Sequence, residues 1–216
     1  MLDRFTWFKQ SAYRWDGDGL TVYIDPWGIP DDAPAADVIL ITHAHFDHFD
    51  LGDIGKITKG DTSFVAPRDV ADELTGDVHA VKPGDTVDVR GVKGETVPAY
   101  NVLEGREDNH PKARGWVGYV IDLGGTRYYH AGDTDHLPEL EQVRAQVSFL
   151  PIGGAGYTMD GREAAGLAKA ISPEIAVPMH YGYVEGCHAS DETDVFRAEA
   201  QPVRVETLEP VAPFEF

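Results

Sequence analysis

The segment His43-Ala44-His45-Phe46-Asp47-His48 places three imidazoles and one carboxylate within six residues. Imidazole nitrogen and carboxylate oxygen are the donors that Zn²⁺ and similar divalent ions prefer. The whole chain of 216 residues holds nine histidines, so this density is too high for a chance polar turn. The chemistry it points to is metal binding.

The element that must carry these donors lies directly upstream. Val38-Ile39-Leu40-Ile41 is apolar at every position, the pattern of a strand buried on both faces. The donors therefore emerge where a buried strand opens into a loop, the usual place for ligands in α/β folds.

Other motifs follow in order. Ile24-Asp25-Pro26-Trp27 precedes the histidine loop; Tyr129-His130-Ala131-Gly132-Asp133-Thr134 and Pro178-Met179-His180-Tyr181-Gly182 come after it, each behind a strand. In these motifs, over about residues 6–180, the chain resembles the metallo-β-lactamase-fold hydrolases, and most of all their short, lactonase-like metal-dependent hydrolase branch. The resemblance implies an α/β protein built as an αβ/βα four-layer sandwich, two mixed β-sheets back to back with helices outside. It implies two divalent metal ions, Zn²⁺ first, with Mn²⁺, Fe or Ni²⁺ accepted by the same donors. On the family pattern His43 and His45 bind the first ion, Asp47 and His48 the second; Asp133 bridges both, and His180 completes the second.

Some positions stay open. Many relatives carry a histidine just after the strand that here ends Pro98-Ala99-Tyr100, where this chain has Asn101. His110, nine residues on, is the preferred replacement ligand, delivered by a loop that folds back; Asn101 is the alternative. Asp25 is either a carboxylate that orients a ligand imidazole or a turn cap before Pro26. Relatives often have a Gly-His pair near Lys9-Gln10, so no ligand role transfers there. His130 is a partner of the site or a packed strand residue, His136 faces substrate or solvent, His188 beside Cys187 is a weak metal motif, and His79 belongs to the surface.

The mechanism expected from such a centre is hydrolysis. Two cations about 3.5–4 Å apart bring the pKa of a shared water toward about 7, and the resulting hydroxide attacks a polarised carbonyl or phosphoryl group. Asp47 can hold that water and move its proton. Tyr181, Tyr157 or Tyr183 can donate to the developing oxyanion. The substrate class is a small-molecule ester, lactone, amide or phosphodiester. Two other functions share the scaffold. A di-iron redox protein of this family carries glutamate at the second histidine, where this chain has His45; a non-catalytic metal-binding or sensing member remains open because of Asn101.

Bulk properties narrow the partners. With 37 acidic against 18 basic residues the net charge is −19; no basic stripe is present, so nucleic acid is not an expected partner. No run approaches the roughly 20 apolar residues of a membrane span. The start lacks a secretory pattern, and one cysteine, Cys187, fits a reducing compartment. A single cytoplasmic domain over 1–216 is the expectation. Its strands and helices alternate: strands near 5–8, 12–15, 20–24, 62–66, 78–81, 86–89, 92–99, 116–123, 127–130, 147–152, 174–179 and 203–208, helices near 51–57, 67–74, 138–146, 160–171 and 191–200. The stretch 100–115 is polar and aperiodic, as functional loops are. Gly153-Gly154-Ala155-Gly156 lacks a phosphate-loop lysine and suggests backbone passing close to the site.

Overall fold

A computed structural model describes residues 1–187 and 190–215. The first sheet runs β1 (Phe5–Trp7), β2 (Tyr13–Gly17), β3 (Leu20–Ile24), β4 (Val38–Leu40), β5 (Ser63–Pro67) and β6 (Asp77–Val81), side by side in chain order. Its first three strands are antiparallel, and β3 to β6 are parallel. In the second sheet β7 (Thr86–Val89), β8 (Val92–Pro98), β9 (Val117–Leu123) and β10 (Thr126–His130) are antiparallel. The parallel strands β11 (Val147–Pro151), β12 (Ile175–Met179) and β13 (Arg204–Val205) extend it. Both sheets are mixed, and with their helices they form the expected α/β sandwich.

Strand β4 shows why the layers stack. Side chains alternate across a strand, so Val38 and Leu40 join Tyr119, Ile121 and Tyr129 in the core between the sheets. Ile39 and Ile41 join Ile54 and Ile57 of α1 (Leu51–Ile57) and Val70 of α2 (Arg68–Ala71) on the outer side. Each such residue, fully buried, contributes about 1.5–3 kcal/mol. Both faces are apolar because both are covered. On the other sheet α3 (Gly161–Ile171) buries Ala164, Leu167, Ala168 and Ile171, and α4 (Ser190–Glu199) adds Phe196. The predicted capping box opens α3: Glu163 N donates to Asp160 Oδ1 at 2.8 Å, and Asp160 N to Glu163 Oε2 at 3.0 Å.

Two expectations change. The helix expected near 138–146 is a 3₁₀ turn over Pro138–Gln142, held by i→i+3 bonds from Leu140 N and Val143 N. The last strand stops at Val205, because the chain then crosses to the first sheet, where Val211 N donates to Trp7 O at 2.8 Å. Among the described residues no helix is long and apolar enough to cross a membrane. His188 lies outside the described residues.

The sheets meet just below the histidine loop. The buried Tyr119 hydroxyl lies 2.8 Å from Ile41 O and 2.9 Å from Val65 O. It ties β9 to the ends of β4 and β5, so the point where the donors emerge is fixed from both sheets.

Candidate metal centre

Strand ends from both sheets deliver the donors to one place. His43, His45, His110 and Asp133 each bring a ligand atom into one group spanning no more than 4.8 Å, and Asp47, His48 and His180 form a second such group. Asp133 stands between them. Its Oδ2 lies 3.2 Å from His110 Nε2, 3.8 Å from His43 Nε2 and 2.9 Å from His180 Nε2, while Oδ1 lies 3.4 Å from His48 Nε2. Asp47 Oδ2 is 3.6 Å from His48 Nε2 and 3.4 Å from His180 Nε2. All seven sequence-derived metal candidates are therefore together, and every one except half-buried His45 is buried.

The donor atoms pass a test of fit for metal ions. Buried polar atoms are almost always hydrogen-bonded, yet His48 Nε2, His110 Nε2 and Asp133 Oδ1 have no hydrogen-bond partner among the described residues. All three orphans point into the shared space. Nitrogen and carboxylate oxygen at this density suit Zn²⁺ and its neighbours. The clusters can bind metal.

Each imidazole is turned toward that space from behind. Asp25, fully buried, accepts from His48 Nδ1 at 2.8 Å, from Thr42 N at 2.7 Å and from Thr42 Oγ1 at 2.7 Å. Because Thr42 spends its hydroxyl proton on Asp25, its oxygen accepts from His43 Nδ1 at 2.9 Å. With Nδ1 of both rings held from behind, Nε2 is the nitrogen of each that faces the centre. The carboxylate reading of Asp25 thus holds. Three residues here have left-handed backbones, Gln10, Asp25 and His180, with φ of 43°, 48° and 61°. Non-glycine residues persist in that region when surrounding structure holds them; here His180 N donates to Gln10 O at 3.1 Å, and Asp25 N to Leu40 O at 2.9 Å.

Charge is arranged by the same burial. Desolvation holds His43 well below its ordinary pKa and brings His45 down to about 4, helped by neighbouring imidazoles. Both are neutral, the form that binds metal. His48 differs: burial opposes its charge, but Asp133, Asp47 and Asp25 outweigh it and push its pKa up to about 10. The field that favours a proton there equally favours a divalent cation.

The loop 101–115 supplies His110 as expected. Asn101 N donates to His110 O at 2.9 Å, closing the excursion, and His110 Nδ1 donates to Asn101 Oδ1 at 2.6 Å. Asn101 supports the imidazole rather than facing the centre. Its amide donates in turn to buried Asp135, which also accepts from Val102 N, Leu103 N and Arg106. Asp135 carries no motif, and its anchoring role was not visible in the sequence. Asn101→Ala is expected to weaken metal binding at the first cluster by about 10–100-fold and leave the second unchanged. Titration with a competing chelator reads both.

Other candidates fall elsewhere. Tyr181 packs on Trp7 and Phe214, with centroids 5.2 and 5.5 Å apart, so its oxyanion role is not supported by position. Tyr183 donates to Ala212 O. Tyr157 alone of the three lines the cavity over the donors, a space of about 220 Å³. His130 is structural: its Nε2 donates to Ser11 O at 2.9 Å, and its Nδ1 accepts from Gly132 N at 3.3 Å, shaping the turn before Asp133. His136 lies 3.0 Å from Glu141 and lines a separate cavity with Val102 and Leu103. His79 lies partly exposed on β6 beside Asp77. Gln10, given no ligand role, reaches within 3.4 Å of His180 Nδ1. Trp116 walls the first cluster, 5.0 Å from both His43 and His45, with its Nε1 donating to Asp69.

The glycine run behaves as expected at Gly153. A Cβ there would lie 2.4 Å from His180 O and 2.9 Å from its Nδ1. Gly153→Ala is therefore expected to cost about 1–3 kcal/mol through overpacking and to displace His180. Calorimetry reads the first effect and loss of metal affinity the second.

Comparisons with known proteins agree with this geometry. Residues 4–180 match the family model of the beta-lactamase superfamily domain. A UPF0173 metal-dependent hydrolase of Methanopyrus kandleri is 34% identical over 98% of this chain and 99% of its own. A solved protein structure from Parabacteroides distasonis superposes with a TM-score of 0.85 at 31% identity, covering 95% of this chain and 92% of that one. The metallo hydrolase Igni18 of Ignicoccus hospitalis gives 0.77 at 27% identity, over 95% and 94%. With its donors assembled as the motifs imply, the chain belongs to the beta-lactamase superfamily, among the UPF0173 metal-dependent hydrolases.

Proposed function

We propose that the two clusters hold two divalent ions, Zn²⁺ first among them, and that the protein hydrolyses a small-molecule ester, lactone, amide or phosphodiester. The observation that carries this reading is the convergence of seven donors on one space, with Asp133 between the two groups and three unpartnered atoms aimed inward. His43, His45 and His110 would hold one ion, Asp47, His48 and His180 the other, with Asp133 shared. Bound there, the ions supply Lewis acidity, bringing water to ionisation near neutral pH and polarising a carbonyl or phosphoryl oxygen.

The chain's own residues do the rest. Asp47 lines the cavity and accepts the proton that water loses on attack, then returns it to the leaving group. Tyr157 lines the same cavity and contacts bound substrate. Trp116, packed 5.0 Å from the rings of both His43 and His45, shields that side of the first cluster from water, which strengthens the charge interactions there. The relatives' names, metal-dependent hydrolase and metallo hydrolase, support the same reading.

The test joins metal analysis to a substrate panel. Purified protein is expected to contain two divalent ions per chain and to cleave at least one of the ester, lactone, amide or phosphodiester probes. A chelator is expected to remove both metal and turnover, and Zn²⁺ or Mn²⁺ to restore them. Full turnover in fully chelated protein sinks the proposal.

A further inference from the structure

The cavity above the metal clusters has two unlike halves. Its floor is polar, made by the ligand imidazoles and carboxylates. Its walls are Phe46, Tyr157 and Val184, with the amide of Asn109 between them. Phe46 is 64% exposed and Tyr157 39%, a high exposure for large rings that nothing in a folding argument requires. Exposed apolar surface gathered at a concave site marks a place where something apolar binds.

These walls are held in place. Phe46 stands edge-on to Trp27, with ring centroids 5.8 Å apart. The backbone beside Trp27 is pinned in turn, Gly28 N and Ile29 N both donating to Asp53 of α1 at 2.6 and 3.1 Å. On the facing side Asn109 Nδ2 donates to Gly156 O at 2.8 Å, joining the 101–115 loop to the loop that carries Tyr157. A wall already rigid loses little entropy when a ligand is placed against it.

What the walls lack is equally informative. Among the described residues no lysine or arginine lines this cavity. Nearby cations are engaged elsewhere: Arg106 with Asp135 and Glu163, Lys112 with Tyr100, and Lys9 with Glu215. The chain as a whole carries −19. A substrate whose far end bears a carboxylate or phosphate would meet an apolar wall in a field of its own sign.

We infer that this site takes an uncharged carboxylic ester or lactone and that Phe46, Tyr157 and Val184 form a subsite for its apolar acyl chain. The inference rests on the hydrolase reading above and narrows it, setting aside substrates that carry a charge at the end remote from the scissile bond. At about 220 Å³ the cavity is smaller than the roughly 300–1,000 Å³ of drug-sized pockets, so a short chain fills it. The carbonyl lies on the polar floor, and the chain runs outward along the rings.

The experiment uses p-nitrophenyl esters from acetate to hexanoate, the p-nitrophenyl monoester of adipic acid, and n-alkyl methyl ketones as uncharged ligands that cannot be hydrolysed. In the metal-loaded protein kcat/KM is expected to rise about three- to fourfold per methylene until the chain outgrows the cavity. Ketone affinity, followed by NMR titration, is expected to rise with the same slope. The adipate monoester, as long as hexanoate but with a distal carboxylate, is expected to fall at least tenfold below it. Phe46→Ala and Tyr157→Ala flatten both slopes, and Val184→Phe shifts the optimum to shorter chains; metal content and melting temperature verify each variant. A flat ketone series, or equal turnover of adipate monoester and hexanoate, overturns the subsite. Ketones that bind with the expected slope while no ester is cleaved leave the subsite standing and sink the hydrolase reading instead.

Discussion

Asp133→Ala is expected to lower turnover by about a thousandfold or more and to reduce the metal content from the proposed two ions per chain to fewer than one. Its carboxylate reaches into both clusters: Oδ2 lies 2.9 Å from His180 Nε2 and 3.2 Å from His110 Nε2, with Oδ1 3.4 Å from His48 Nε2. Removing the carboxylate takes away the group shared by the two clusters and the negative charge that would let two cations lie close together. Asp133→Asn separates those losses. It keeps the shape and one acceptor but removes the charge, so it is expected to retain the fold and one ion while turnover stays near the alanine level. Elemental analysis with steady-state kinetics on both variants decides. Two ions and near-normal turnover in the alanine variant would show that the clusters work independently, contrary to the shared role given to Asp133.

How far the sequence revealed this site depends on the kind of interaction. The histidine loop was legible because a metal needs several donors of restricted type near one strand end, and that requirement is written as local spacing. Asp25 was legible as one of two readings, and its three hydrogen bonds decide between them. His110 was reachable because Asn101 left the expected position without a strong donor. Asp135, Gln10 and Trp116 were not. Each acts through contacts with residues distant in the chain or across a sheet junction, and none belongs to a motif that a spacing rule can detect. Tyr181 failed for a related reason: proximity to His180 in sequence does not say which way a side chain turns, and the left-handed backbone at His180 leaves Tyr181 against Trp7. The layers were read well because β4 alternates between two apolar cores. The 3₁₀ turn at Pro138–Gln142 was missed because five residues are too few for its helical period to differ from that of an α-helix.

Asp25 separates stability from metal binding in one pair of variants. Asp25→Ala leaves Thr42 N, Thr42 Oγ1 and His48 Nδ1 without their acceptor in a fully buried place. Orphaned donors cost about 1–3 kcal/mol each; with partial relaxation the expected loss is about 3 kcal/mol, or roughly 6–12 °C in melting temperature for a chain of this size. Asp25→Asn behaves differently. Its oxygen can still accept from Thr42 N, so most of the stability is expected to return. Its amide now donates toward His48 Nδ1, which must become an acceptor, and the imidazole proton moves to Nε2. That atom is the one aimed at Asp133 and Asp47, and a protonated nitrogen cannot bind a cation. The wrong tautomer, with the geometry intact, is expected to weaken the second ion by at least about 10–100-fold, with a smaller loss at the first, because Thr42 Oγ1 donates to the same Asp25 oxygen and in turn supports His43 Nδ1. Calorimetry and chelator titration on the pair test the claim together. If Asp25→Asn binds both ions as tightly as the unaltered protein, Asp25 serves the fold alone and the tautomer of His48 is set by something else.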